Sequence, residues 1–184
     1  MVERMKHLLL LMSAIMGFEA NSQQGNIQSE PIEWSFLHPV KKSWMDLGQK
    51  GSVQEALIDS GEMPDPFYGL NELKFGWFEE HVWEFKSIVF LTEEQLAKEY
   101  LELELPSVDT YAKVYFNGKL ILETANAFIP HRAQVKELAK HGMNEIQVYI
   151  TPPVMYHEKT YDEMGYQLPA PNLSLIHISE PTRR

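Results

Sequence analysis

No cysteine occurs among the 184 residues, which excludes a thiol nucleophile, a lipid-modified cysteine anchor and a disulfide framework. Basic side chains are scarce: 16 Lys and Arg against 26 Asp and Glu give a formal net charge of -10, with no Lys/Arg cluster to interrupt the acidity. Binding a phosphate backbone requires a basic face, so nucleic acid is set aside as a partner. Long apolar runs are missing too. The most apolar stretch, residues 8–18, is too short for a permanent membrane anchor. There is no glycine-rich phosphate loop, no G-x-S-x-G elbow and no internal repeat. The seven histidines are scattered without H-x-x-x-H or carboxylate–histidine spacing, so neither a metal nor a cofactor is expected. What remains is ordinary globular composition, 44% hydrophobic and 23% charged, enough for a single buried core.

Both ends carry signals of their own. Arg4 and Lys6 precede the apolar run, and Ala20 and Ser22 place small residues where a signal peptidase reads them. This pattern predicts an export signal over residues 1–22 and a mature chain starting near Gln23, in a periplasm or outside the cell. At the other end, "LSLIHISEPTR" over residues 173–183 is similar to the translation of a transposase adapter used in building sequencing libraries. Residues 173–184 are accordingly expected to be read-through, with the gene cut near Asn172 and a longer protein intended. The N-x-S sequon at Asn172 then straddles the junction and carries no meaning.

Between these ends the periodicity is that of strands. "YLELELP" alternates Leu101, Leu103 and Leu105 with Glu102 and Glu104. "TYAKVYFNGKLILET" reads as two strands about Asn117-Gly118, a dipeptide that tolerates positive φ at both central positions of a tight hairpin. Ala112, Val114 and Phe116 are expected on one face of it. Ile146, Val148 and Ile150 repeat the alternation after Gly142, and Trp83, Phe85 and Val89 share a face of a further strand. Two short helices are expected. One carries Val53, Ala56 and Leu57 and stops at Gly61; the other opens with a capping box, Thr92 with Gln95, and lasts about two turns. The pattern predicts an all-β fold over residues 23–151, an antiparallel jelly-roll sandwich with two or three short peripheral helices. Residues 152–172 are proline-rich and aperiodic, and read as a loop leading onward.

Acids are plentiful but unplaced for catalysis. Glu93, Glu94 and Glu99 fall on a surface helix, and Glu102 and Glu104 on an outward strand face. The Asn71-Glu72 and Asn144-Glu145 pairs do not end parallel barrel strands, so neither is read as catalytic, and the expected set of catalytic residues is empty. Aromatics are the remaining signal, above all in "PDPFYGLNELKFGWF". Trp83 and Phe85 fit a core. Pro64 and Pro66 instead stiffen a loop that presents Phe67 and Tyr68, which could stack on a sugar or pack on a neighbour.

The runs "GSVQEALIDSGEMPDPFYGLNELKFGWFEEHVWEFKSIVF" and "VDTYAKVYFNGKLILETANAFIPHRAQVKELAKHGMNEIQVYITPPV" strongly resemble the N-terminal domain of β-mannosidases of glycoside hydrolase family two. The shared wording is a P-D-P-F-Y-G-x-N-E loop at Pro64–Glu72, then Trp77-Phe78-Glu79 and Trp83-Glu84-Phe85. Further on come the T-Y-A-x-V-Y-x-N-G hairpin, the Asn126-Ala127-Phe128 turn and Thr151-Pro152. Departures are the proline missing before Gly51-Ser52-Val53, Phe85 where tyrosine is usual, and Lys86-Ser87-Ile88 in place of an Arg-rich strand. The resemblance implies a galactose-binding-like domain, the first of several. A later (β/α)-barrel would hold both catalytic glutamates and hydrolyse terminal β-mannosides with retention. Neither those glutamates nor the family's G-W-D-W-G segment is present here. Asp65, Phe67, Tyr68, Asn71, Glu72 and Trp77 are the residues expected to wall the sugar pocket or dock onto that barrel. A free-standing carbohydrate-binding module, or the same domain of a β-galactosidase or exo-β-glucosaminidase, are the alternatives.

Overall fold

A computed structural model of the chain describes residues 18–19, 32–48 and 52–164. Nearly all of the stretch read as an export signal, and all of the adapter-like stretch, lie outside them. Nine strands are described: β1 (Phe18–Glu19), β2 (Ser35–Leu37), β3 (Trp44–Asp46), β4 (Trp83–Leu91), β5 (Glu102–Leu105), β6 (Tyr111–Phe116), β7 (Lys119–Ala125), β8 (His131–Gln134) and β9 (Gly142–Thr151). They form a six-stranded sheet ordered β3-β2-β4-β9-β6-β7 and a three-stranded sheet ordered β1-β5-β8, and their pairings are antiparallel. This is the expected sandwich. β1 comes from the stretch read as an export signal and pairs Phe18 with Leu103 at the edge of the smaller sheet.

Strand alternation places the core where the sequence puts it. Phe85, Val114, Phe116, Ile146, Val148 and Ile150 project inward from the large sheet, and Leu101, Leu103, Leu105 and Val135 come from β5, β8 and their flanks. Asn117 and Gly118 take φ of 48° and 78°, so the hairpin closes on two left-handed residues as Asn-Gly allows. Behind the turn Asn144 is fully buried. Its amide accepts from the Lys140 N–H at 2.9 Å and donates to the carbonyls of Lys140 and Gly142 at 2.7 and 3.0 Å. Asn117 Nδ2 donates to Asn144 Oδ1 at 2.8 Å, locking the hairpin tip to the loop ahead of β9.

Three α-helices and one 3-10 segment are peripheral. α1 (Val53–Asp59) is capped by Ser52, whose hydroxyl accepts from the Glu55 N–H, and buries Val53 and Leu57. Asn71–Glu80 winds as a 3-10 helix that buries Phe75 and Phe78. α2 (Glu93–Leu96) has both capping-box bonds between Thr92 and Gln95 but makes one turn rather than two. It buries no residue, so nothing beyond its cap extends it.

The stretch 152–172, read as a loop, needs correction: α3 occupies Pro153–Met164. The two prolines do not break it. Pro153 stands at the first helical position, where a missing N–H costs nothing and a fixed φ favours the turn. The Pro152 carbonyl accepts from the Tyr156 N–H at 3.0 Å.

Candidate functional site

One end of the sandwich gathers the loops that carry the sequence-predicted residues. Register places the C-terminal end of β2 beside the start of β4 (Leu37 opposite Glu84), and the start of β4 beside the end of β9 (Trp83 opposite Ile150). Tyr111 at the start of β6 lies opposite both Thr151 and Ala125, the ends of β9 and β7. The segments 38–43, 61–82, 106–110 and 126–130 therefore meet at this end, with α3.

The loop after α1 is built to be stiff. Gly61, at φ 76°, ends the helix, and the Leu57 carbonyl accepts the N–H groups of both Glu62 and Met63 at 2.9 and 3.0 Å. Between Pro64 and Pro66, Asp65 organises the turn. Its Oδ1 accepts the Phe67 N–H at 2.9 Å, and its carbonyl accepts Asn71 Nδ2 at 2.9 Å and the Tyr68 N–H at 3.3 Å. Proline, a side-chain turn and a cross-loop amide bond together fix residues 65–71. The outcome is that Phe67 is 60% exposed and Tyr68 79% exposed, with Leu70 and Leu73 open beside them.

Trp77 goes the other way. It is half-buried among Phe78 (ring centroids 4.5 Å apart), His38 (5.5 Å, near-parallel) and Trp83 (5.7 Å). Its ring thus packs between the turn after β2, the 3-10 helix and the start of β4. Trp83 Nε1 donates to the Phe78 carbonyl at 3.0 Å, tying the 3-10 helix to β4. His38 Nδ1 accepts the N–H groups of Val40 and Lys41 at 3.2 and 3.3 Å, which leaves the ring proton on Nε2, 3.4 Å from Glu62 Oε2. Lys41 Nζ reaches the same oxygen at 2.8 Å. Glu62 thus clasps the 38–42 turn to the exit of α1. Of the six predicted residues, Asp65 and Asn71 shape the loop, Phe67 and Tyr68 are displayed by it, and Glu72 is half-buried where the 3-10 helix starts.

Two features at this end were not among the predicted site residues. Phe128 is 94% exposed on a turn in which Asn126 Oδ1 accepts the Phe128 N–H at 2.9 Å. The signal was present, since Asn126-Ala127-Phe128 repeats the pattern of Asp65-Pro66-Phe67. The second is the seat of α3. Tyr156 stacks on Tyr111 with ring centroids 3.6 Å apart and planes 6° from parallel, and His157 Nε2 lies 3.4 Å from the Tyr111 hydroxyl. Burial first, then the neighbouring Tyr156, raises the Tyr111 phenol above its ordinary range. α3 also lies against the 3-10 helix.

Glu62 and Asp65 are engaged in holding loops, Glu104 pairs with Arg132 at 3.0 Å and Glu102 accepts from Gln134 at 3.0 Å. Among the described residues no group of three His, Asp or Glu is placed to hold a metal ion. No described helix is long and apolar enough to cross a membrane.

A family model described as glycosyl hydrolase 2 galactose-binding domain-like matches residues 34–183. A probable β-mannosidase of Caenorhabditis elegans is 33% identical over 124 residues, which are 65% of this chain and 14% of that protein. β-Mannosidase B of Aspergillus terreus is 34% identical over 126 residues, 66% of this chain and 15% of that protein. Among solved structures, the β-D-mannosidase of Dictyoglomus thermophilum superposes with a TM-score of 0.70 at 35% identity, covering 77% of this chain and 18% of that one. The chain is thus similar to a small fraction of each of these proteins.

Proposed function

Since the chain belongs to the glycosyl hydrolase 2 galactose-binding domain-like family, we propose that it is the non-catalytic first domain of an exported, retaining β-mannosidase. The complete enzyme releases terminal β-linked mannose from oligosaccharides. The acids that cleave the bond lie on a (β/α)-barrel outside this chain, set about 5 Å apart as retention requires. The sandwich seats on that barrel through the loop at 65–73, which helps to wall the sugar pocket.

One observation carries the reading. Apolar side chains held out on rigid backbone are concentrated at the end of the sandwich where α3 also sits, so the exposed surface and the path of the chain point the same way. Burying such surface is favourable, and pre-ordering lowers the entropy lost in doing so. The 124 aligned residues are 14% of the Caenorhabditis elegans relative, so the greater part of that polypeptide is a neighbour of suitable size. Export is supported by the basic start, the apolar run and the small residues at Ala20 and Ser22.

The test compares two proteins on a chromogenic β-mannoside. The product of the intact gene should turn it over, with β-mannose the first anomer seen by NMR. The present chain, produced from Gln23, should not. Turnover by the present chain would place catalysis inside the sandwich and overturn the reading. An α-anomer as first product would overturn retention alone, and an exported protein still beginning at Met1 would overturn cleavage of the leader.

A further inference from the structure

We propose that Phe67 and Phe128 form a matched pair of anchors that seat this end of the sandwich on the remainder of the polypeptide. The proposal rests on the reading above and adds the second anchor, the geometry of the pair and the occupant.

The two residues share one construction. In each, a short acid or amide side chain accepts the N–H of the phenylalanine two positions on, at 2.9 Å in both cases: Asp65 for Phe67 and Asn126 for Phe128. Such turns fix the backbone and push the following side chain outward. Each turn is braced a second time. Asn71 Nδ2 closes on the Asp65 carbonyl, while His131 Nε2 lies 2.7 Å from the Asn126 carbonyl and Ser107 Oγ donates to the Ala127 carbonyl at 2.9 Å. An aromatic ring held 94% in water on a triply braced turn does nothing for the fold of this chain. It is an ordered apolar group with its conformational entropy already lost, as an interface anchor needs.

Position supports pairing. The Phe67 loop leads through the 3-10 helix into β4, and Phe128 follows β7, with β9 and β6 between them in the sheet. Three strand spacings, about 14 Å, separate β4 from β7, and the segments leading into β4 and out of β7 lie at the same end of the sheet. Tyr111 of β6, in the middle, carries Tyr156 of α3 on its ring. Leu70 and Leu73 extend the Phe67 side, and Ile129 extends the Phe128 side. A single folded unit resting on α3 would touch both. Because the aligned segment is only 14% of the Caenorhabditis elegans relative, the occupant we commit to is the rest of the same polypeptide.

The experiment uses the intact gene product with Phe67→Ser, Phe128→Ser, the double variant, and Met143→Ser, an exposed apolar control at the opposite end of the sheet. Limited proteolysis measures how fast the sandwich is released from the remainder. Each anchor variant should speed release about tenfold or more, the scale of losing one interface anchor, and the double variant further still. Met143→Ser should match the wild type. Near-ultraviolet circular dichroism should leave the sandwich unchanged in all four, because every altered side chain is exposed. Release from Phe128→Ser at the control rate would overturn the proposal while leaving the domain assignment intact. Normal release with concentration-dependent loss of a dimer would show a second copy as the occupant and overturn it too. Absence of β-mannosidase activity in the wild type would instead sink the functional reading, and the proteolysis ranking would still decide the anchors.

Discussion

Asn71-Glu72 and Asn144-Glu145 are the same dipeptide in two settings, and burial separates them. Asn144 is fully enclosed, and its amide closes the loop ahead of β9 while accepting from Asn117. Truncating it removes the partner of two carbonyls, those of Lys140 and Gly142, and of two N–H donors, on Lys140 and Asn117, around a fully buried position. Asn144→Ala should therefore lower unfolding stability by roughly 2–4 kcal/mol. Asn71 donates a single bond to Asp65 in an exposed loop, so Asn71→Ala should cost about 1 kcal/mol or less. Urea titration of both variants measures the difference. Equal midpoints would mean that the Asn144 network contributes nothing.

At the level of elements, the seat of α3 has a pH dependence whose sign follows from its phenol. Tyr111 titrates above its ordinary 10.0, because burial and the adjacent Tyr156 disfavour the phenolate. Tyr149 is raised too, by burial and then by Glu84. A folded-state value above the unfolded one means stability is fully present below about pH 10 and is lost as pH climbs through the folded values. Unfolding by urea at pH 9 and pH 11 should show that fall. Tyr111→Phe keeps the ring on Tyr156 and removes the titrating group, so its fall should be shallower. An unchanged slope would clear Tyr111 of the effect. The same latch shows where sequence reading stopped. The hairpin at Asn117-Gly118 and the alternating Leu101, Leu103 and Leu105 were legible because strands print a two-residue period and a tight turn demands particular residues. α3 was not, since prolines at its start look like breakers and its described contacts with the sheet, Tyr156 and His157 against Tyr111, print no period to detect. How deeply Trp77 sits was hidden for a related reason. A 3-10 helix matches neither the strand nor the α-helical repeat, so nothing local told which of its aromatics points inward. Phe67 was visible as a candidate because two prolines, Pro64 and Pro66, precede it, whereas Phe128 is a lone aromatic in a short turn.

For the whole molecule, the arrangement at one end has a consequence when the chain is alone. Phe67, Tyr68, Leu70, Leu73, Phe128 and Ile129 stand exposed together where no part of the described chain covers them. Apolar surface of that kind drives association. Opposing it is the formal charge of -10, which repels like copies over the screening length of about 10 Å at 0.1 M salt. The two terms predict an unusual salt response. Raising salt to 1 M shortens the screening length to about 3 Å and leaves hydrophobic attraction standing, so association should strengthen. An assembly held by ion pairs would weaken instead. Sedimentation equilibrium on the isolated chain should thus give a weight-average mass that rises with concentration and rises further with salt. Replacing Phe67 and Phe128 together by serine should return it to the monomer under all conditions. A wild-type chain that stays monomeric at high concentration and high salt would show that this end has too little apolar surface to need a neighbour.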